Sequence, residues 1–532
     1  MEALSILTPL SYHASSCGYC STRVSPSGNK LRSEKKSSLS YGMWAHRLSP
    51  QMYQSLIDRG WRRSGHYLYH PDMDRTCCPQ YAIRLLVEDF KPSKSMRRVI
   101  NRFNRFLIDG GKDEKTAKDE QDVEMDVEDG EVRNDTAELE RAENLIGKVS
   151  LSPAALLATT VTPALPSAPA RTTSLKSTNL TAPPNLTGKA TTPNGGPVWK
   201  PGTKGKAVFD LRASINAPSA VANPVHTLRT ELIASDSEDH FEERYSLYKD
   251  YQMSIHNEGE DKVTERGFRR FLCESPIIPQ PLPSTSSSIL DGSTRGNKFG
   301  SHHLLYWLDG VLIALAVLDI LPKGVSSVYF CWRNEYARYR MGKYSAMREI
   351  ALVKELGLSY YVMGYYIHNC QKMRYKGQYS PSELLDPDTN TFYPLSTVIP
   401  LLEQSLNASF SSSPRTVRLS PNDTTQAASA TSESSEVSSE DSDDEEPSLS
   451  LPLMPGSLLP NVESAEMRAL LPHVLSLEPT GEKLFLAPLE VSKVWNMEGS
   501  DEKRRLVEGV AALGELVKER AGRLAFYFST ID

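Results

Sequence analysis

Four cysteines near the start of this 532-residue chain set out the first chemistry it could perform. The spacing Cys17-Gly18-Tyr19-Cys20 lets two thiolates grip one soft metal ion from a single turn, and a closed tetrahedron then needs two more ligands. The adjacent pair Cys77-Cys78 can supply them, with His13 as a substitute. Zinc and an iron-sulfur cluster both accept four thiolates, so the spacing admits either, and ordinary buried thiols are the plain alternative.

Positive groups form the second constellation. Gly60-Trp61-Arg62-Arg63-Ser64-Gly65 puts two guanidiniums beside an indole, between glycines that bring backbone close, an arrangement suited to a carboxylate or phosphate. A surface basic turn would read the same way. Residues 90–106 hold six bases and no acid, and from Ser95 the spacing predicts a helix with Val99, Phe103 and Phe106 or Leu107 inward and Arg98, Arg102 and Arg105 along another side. Such a helix suits a nucleic-acid backbone, and equally a solvated face. A third group, Gly364 to Pro381, is dense in tyrosine and positive charge.

The elements that must hold these groups are legible in part. Ser49 and Pro50 begin a short helix with Met52, Tyr53, Leu56 and Ile57 on one face, stopped by Gly60. Strand-like runs cover His303–Trp307, Val311–Ile320 and Val325–Cys331, with Asp309-Gly310 as a hairpin turn between the first two. A glycine-bearing turn, Arg340 to Lys343, leads into a helix from Tyr344 to Leu356, closed by Gly357, and a second strand runs from Leu358 to Met363. Such a unit aims backbone N–H groups at whatever lies between the strands, and the loop after the second strand should face the same cleft as Gly342. Phe241 to His256 reads as a helix whose aromatic residues are packing.

Composition divides the chain. The net charge of -6 conceals 14 acids against 5 bases in residues 111–145 and 8 acids without a base in residues 431–446, leaving a basic remainder that suits a polyanionic partner. The expected organisation is an N-terminal Cys-rich domain (1–110, opening on a polar leader), a disordered linker or insert (111–235), a second folded domain (236–400), a disordered acidic Ser-rich segment (401–454) and a helical extension (455–532). Seven unevenly placed cysteines argue against a secreted disulfide framework, and neither a signal peptide nor a membrane span is indicated. A reducing compartment follows, the cytoplasm with the nucleus as a second location. A monomer is expected.

The chain resembles the arginyl-tRNA:protein transferases of eukaryotic type. The resemblance rests on Cys17 to Cys20, Ser40 to Leu48, Asp58 to Gly65, Thr76-Cys77-Cys78-Pro79-Gln80-Tyr81, Arg270 to Cys273, Tyr306 to Gly310, and Tyr366 to His368 through Lys376-Gly377. It implies an α+β fold with an N-acetyltransferase (GNAT)-like mixed-sheet core, and an enzyme that moves arginine from arginyl-tRNA to the N-terminal amine of proteins beginning with Asp, Glu or oxidised Cys, marking them for N-degron-dependent degradation. It also implies zinc or an iron-sulfur cluster on Cys17, Cys20, Cys77 and Cys78, with no CoA and no ATP.

Aminolysis of an activated ester requires chiefly that amine and carbonyl be positioned and the amine kept neutral. For the acceptor's acidic side chain the candidates are His46, Arg62, Arg63 and Lys376. Asp309, Glu349 and Asp319 are the carboxylates for the arginyl group, and His368 or one of these accepts the proton. Lys91, Lys94, Arg97, Arg98, Arg102 and Arg105 would follow the tRNA backbone, and Tyr365, Tyr366 and Tyr375 would stack the terminal adenosine. Two rival readings are a CoA-dependent N-acetyltransferase, disfavoured because Tyr344 would crowd a pyrophosphate, and a non-enzymatic metal-stabilised RNA- or peptide-binding protein.

Overall fold

The structure, a computed structural model, describes residues 2–21, 32–111, 209–283, 298–411, 475–480, 483–488 and 501–527. The acidic stretches 112–145 and 431–446 lie outside the described residues.

The first third of the chain forms β1 (Ser5–Ser15), β2 (Ser38–Arg47), helix α1 (Pro50–Ile57), β3 (Arg62–Ser64), β4 (Tyr67–Pro71), β5 (Tyr81–Leu86) and α2 (Lys94–Asp109). Next come α3 (Leu211–Ile215), β6 (Leu228–Ala234), α4 (Phe241–Ile255), β7 (Gln280–Pro281), β8 (Lys298–Leu308), β9 (Val311–Ile320), β10 (Gly324–Trp332), α5 (Met341–Glu355), β11 (Tyr360–Tyr366), β12 (Ser382–Leu385), β13 (Phe392–Pro394) and α6 (Leu395–Gln404). The tail adds β14 (Leu475–Thr480), β15 (Lys483–Pro488), α7 (Asp501–Leu513) and β16 (Leu524–Tyr527).

Local chemistry sets many of the boundaries. Ser49 Oγ accepts from Met52 N to start α1, Ser93 Oγ accepts from Met96 N to start α2, and Gly110 ends α2 at φ 74°. The β8–β9 hairpin turns on Asp309 (φ 50°) and Gly310 (φ 84°), both left-handed as a tight two-residue hairpin requires. Before α5 the left-handed residue is Arg340 (φ 53°), so Gly342 lies inside the helix's first turn and not in a separate turn ahead of it.

The strands form two mixed sheets. The smaller has the order β15-β14-β16-β1-β2-β4-β3, and the larger β13-β12-β5-β11-β10-β9-β8-β6 with β7 on β8. Strands β10 and β11 are parallel neighbours only from Gly324–Tyr360 to Ser326–Val362, after which they part. Gly364, at φ 72°, marks an irregularity in the β11–β5 pairing between Val362 and Tyr365.

Three expectations are corrected by this topology. The stretch read as a polar leader is strand β1, paired along its length with β2, with Leu4, Ser5, Ile6, Leu7 and Thr8 all buried. Ordered structure returns by α3 and β6, inside the stretch read as linker, since β6 completes an edge of the large sheet against β8. The tail is not only helical: β16 runs parallel to β1, and Leu506, Val507, Val510, Leu513 and Phe526 share one core with Leu7, Met43 and Trp61.

The sheets are tied together by side chains and by chain path. Strand β5 comes from the N-terminal third yet sits between β11 and β12. Arg63, on β3, donates to both carboxylate oxygens of Asp319 on β9, at 2.8 and 2.6 Å, and to Ser301 Oγ at 2.9 Å, all of them buried. Removing one partner of such a pair strands a buried charge, so Asp319→Ala should cost about 3–5 kcal/mol in urea denaturation. A loss under about 1 kcal/mol would show that the pair does not couple the sheets.

Candidate active-site cleft

Where β10 and β11 part, they leave a cleft of about 100 Å³ lined by Ser327, Val328, Phe330 and Trp332 of β10, Met363 of β11, Gly342, Ser345, Ala346 and Glu349 of α5, and Tyr375, Lys376 and Tyr379 of the following loop. The α5 contribution falls at intervals of three, four and seven residues, one face of a helix.

Glu349 is buried in this wall. Its carboxylate accepts from Ser345 Oγ at 2.6 Å and from Tyr361 Oη at 2.8 Å, and Ser345 Oγ meets Tyr306 Oη at 3.1 Å. Burial pushes its pKa up against the hydroxyls that hold it down, and it makes no ion pair among the described residues. The arrangement is a preformed seat for a cation, or an acceptor for a proton.

Lys376 faces the same cleft and is 7% exposed. Its Nζ donates to the Tyr365 carbonyl at 2.8 Å and lies 3.6 Å from Met373 Sδ. Burial, aided by the nearby Arg62 charge, lowers its pKa to about 7. Arg62 donates to the preceding carbonyl, Gly364, at 3.1 Å, and to Trp61 and Ile57 carbonyls, with its guanidinium 5.2 Å from the Tyr365 ring centroid. Arg62 Nε is buried without a partner, and neither cation has an acidic partner among the described residues.

The other expected residues lie elsewhere. His46 bonds to Thr8 Oγ1 at 2.9 Å and stands edge-on to Tyr527; burial holds its pKa down to about 3, so it is neutral and not a cation. Arg63 and Asp319 neutralise each other. Asp309 accepts from Thr227 N and bonds to His226 Nδ1 at the exposed hairpin tip, where it serves the turn, and it does not line the cleft. His368 is likewise outside the lining, its Nδ1 3.0 Å from Tyr366 Oη. Tyr365 is buried with its hydroxyl on the Gly60 carbonyl, and Tyr366 is buried, so of the three tyrosines only Tyr375 lines the cleft. Tyr344 points away from it, packed edge-on against Phe103 at 4.6 Å, and cannot crowd a ligand there. Lys91, Lys94, Arg97, Arg98 and Arg105 are exposed and Arg102 half-buried along α2 and its approach.

Sequence reasoning missed Ser345, Tyr361 and Tyr306, the hydroxyls around Glu349. Ser345 could have been found from its four-residue spacing to Glu349 and three-residue spacing to Gly342; the tyrosines come from other strands and carry no such signal.

The four N-terminal cysteines converge as their spacing predicts, each sulfur within 4.8 Å of the others. Hydrogen bonds from Cys77 and Cys78 pull Cys17 below the ordinary thiol range, while Cys78, donating to it, is pushed up. A tetrahedral ion with metal–sulfur bonds of about 2.3 Å sets sulfur–sulfur edges of about 3.8 Å, so the cluster can close around a metal with small adjustments. Cys17 and Cys78 share an apolar cluster with Tyr365, Ile367, Cys370 and Met373; Arg62 lies over the Tyr365 ring and Lys376 Nζ against Met373 Sδ, so this cluster joins the centre to the Arg62–Lys376 pair.

A family model described as arginine-tRNA-protein transferase, N terminus, matches residues 15–98, and one described as arginine-tRNA-protein transferase, C terminus, matches residues 243–386. Arginyl-tRNA–protein transferase 1 of Drosophila melanogaster is 35% identical over 431 residues, covering 75% of this chain and 84% of the fly protein. Arginyl-tRNA–protein transferase 2 of Arabidopsis thaliana is 33% identical over 480 residues, covering 75% and 76%. An aspartate/glutamate leucyltransferase of Pseudomonas fluorescens is 47% identical over 78 residues, 15% of this chain and 33% of the bacterial protein. The cysteine cluster and Arg62 fall in the first matched segment and Glu349 and Lys376 in the second, and the chain belongs to the arginyl-tRNA–protein transferase family of aminoacyltransferases.

Proposed function

We propose that this chain transfers arginine from arginyl-tRNA to the N-terminal amine of proteins beginning with Asp, Glu or oxidised Cys, and so supplies substrates for N-degron-dependent degradation. The observation that carries this reading is the polarity of one cleft: a buried carboxylate, Glu349, and a buried lysine, Lys376, neither of which has a partner of opposite charge among the described residues. A donor guanidinium complements the first and an acceptor carboxylate the second. The printed name of the bacterial relative, which pairs aspartate and glutamate with aminoacyl transfer, supports the acceptor class.

The splayed parallel pair β10–β11, with α5 beginning at its opening, supports a GNAT-like reading of the core. The reaction asks little beyond placement. The acceptor amine attacks the ester carbonyl, a C–N bond forms, the C–O bond to the tRNA ribose breaks, and the amine's proton leaves as the ribose hydroxyl is restored. Lys376 orients the acceptor through its side-chain carboxylate, and Glu349 holds the arginyl group. Tyr375, which lines the cleft, stacks the terminal adenosine.

At the cysteine centre we propose a single tetrahedral ion, zinc, because sulfurs this close suit one metal between them. A bound cation would let the thiolates coexist and fix the two loops that carry them. Elemental analysis of anaerobically purified protein should find about one zinc per chain without iron, and chelation should lower the melting temperature. Iron and acid-labile sulfide in place of zinc would replace this assignment with a cluster.

Transfer of labelled arginine to peptides differing only in the first residue tests the function: Asp is expected to outrun Ala, and no transfer to either would dispose of it. Lys376→Met should reduce that preference by about 10-fold or more, the worth of a hydrogen bond to a charged group. The pH profile follows from signs. The acceptor amine, with pKa about 7.7–8.0, must lose its proton, so rate rises with pH; Lys376, at about 7, must keep its proton to hold a carboxylate, so acceptor binding fades as pH rises. A narrow bell is expected for Asp peptides, and Lys376→Met should lose its alkaline limb. An unaltered profile and preference would move the acceptor pocket elsewhere.

A further inference from the structure

The cleft wall contains a donor that the fold leaves unused. Trp332, the last residue of β10, is 7% exposed and lines the cleft, and its indole Nε1–H is buried with no acceptor among the described residues. Other polar side chains of the wall are committed. Ser345 and Ser327 bond to the Glu349 carboxylate, and Lys376 donates to the Tyr365 carbonyl. A buried N–H without an acceptor is a cost that native structures rarely carry, and a ligand that brings an acceptor removes it. The ring itself is fixed, stacked on Phe330 at 5.4 Å with planes 24° apart and packed on Tyr251 at 4.8 Å.

Ester aminolysis calls for such a group. As the acceptor amine attacks, the carbonyl π pair moves onto oxygen, and the tetrahedral intermediate carries negative charge there until the pair returns and the C–O bond to the ribose breaks. With the arginyl side chain at Glu349 and the acceptor side chain at Lys376, the reacting carbonyl lies between them. An indole N–H suits that oxygen, because it donates without accepting and keeps its own proton. Gly342 puts the first turn of α5, the positive end of a helix dipole, on the same space.

We propose that Trp332 Nε1–H donates to the ester carbonyl oxygen of arginyl-tRNA, and that this bond strengthens as the oxygen becomes an oxyanion, which makes Trp332 a catalytic residue of the transfer. The proposal rests on the arginyl-transfer reading and adds the group that meets the developing charge. The step balances within the two substrates: the C–N bond forms, the C–O bond breaks, and the proton lost by the amine is gained by the ribose oxygen. Because the bond tightens in the transition state and touches nothing else of the tRNA, its loss falls on kcat and not on donor binding.

The test is Trp332→Phe in the full-length chain, with Trp307→Phe as its control. Trp307 Nε1 is buried and unpaired as well, but that ring packs against His240 and Arg229 outside the cleft. With arginyl-tRNA and an Asp peptide, Trp332→Phe should lower kcat about 100-fold or more and leave KM for arginyl-tRNA within about 2-fold, as loss of one oxyanion donor does. Trp307→Phe should keep the wild-type rate. A 3-benzothienylalanine in place of Trp332 keeps the shape of the ring and lacks the N–H, so it should lower kcat by the same factor without lowering the melting temperature. If that isostere restores the rate lost in Trp332→Phe, packing is the cause and the proposal is overturned; a Trp332→Phe kcat within about 3-fold of wild type overturns it equally. A wild type that transfers no arginine sinks the transferase reading and this role with it, whereas an active wild type with indifferent variants sinks the oxyanion role alone.

Discussion

Two buried cations grip consecutive carbonyls of one strand: Arg62 on Gly364 and Lys376 on Tyr365. Gly364 adopts a left-handed conformation there, which breaks the pairing of β11 with β5 and leaves both carbonyls available to side chains. A charge removed from water is expensive unless an opposite charge meets it, and backbone carbonyls supply only dipoles. The fold therefore maintains a local deficit of negative charge at the end of β11. The remainder of the architecture can be read as what makes this deficit tolerable. The N-terminal sheet brings Arg62, the cysteine centre backs the loop that carries Lys376, and the parting of β10 from β11 opens the spot to a ligand.

The cleft separates charge by element. Helix α5 presents a carboxylate encircled by hydroxyls, and the loop after β11 presents an amine on a carbonyl. Because the hydroxyls come from α5 and β11 and are themselves buried, they hold the Glu349 carboxylate in one orientation. Preorganisation of this sort lets binding energy serve alignment of two reactants in place of rearrangement of the protein.

Local features are legible in the sequence and long-range ones are not. The Ser49 cap, the apolar face of α2, the Asp309-Gly310 turn and the four convergent cysteines each express an interaction among residues close in sequence or of one chemical type. Arg62 and Lys376 are legible as cations, and Arg63 looks no different from its neighbour. Its partner, Asp319, is 256 residues away, and nothing in the local pattern distinguishes an arginine that is paired from one that is free. The same limit explains His46, whose neutrality comes from burial that includes Tyr527, and the tail, whose short strand carries no amphipathic period until β1 gives it an edge to join. Analogy of its loop sets Tyr344 in the cleft, while the helix phase turns it toward Phe103.

Strand order also fixes when this protein can become whole. β5 occupies residues 81–86 but takes its neighbours from residues 360–366 and 382–385, and β1 takes one of its neighbours from residues 524–527. During synthesis, which proceeds from the N-terminus, neither sheet can close until most of the chain has emerged. Until then β1 carries one unsatisfied strand edge and β5 two, the kind of surface that invites pairing with another molecule. A nascent chain of this design has to be shielded for most of its translation, and a stalled ribosome would present exposed strand edges and not a finished N-terminal domain.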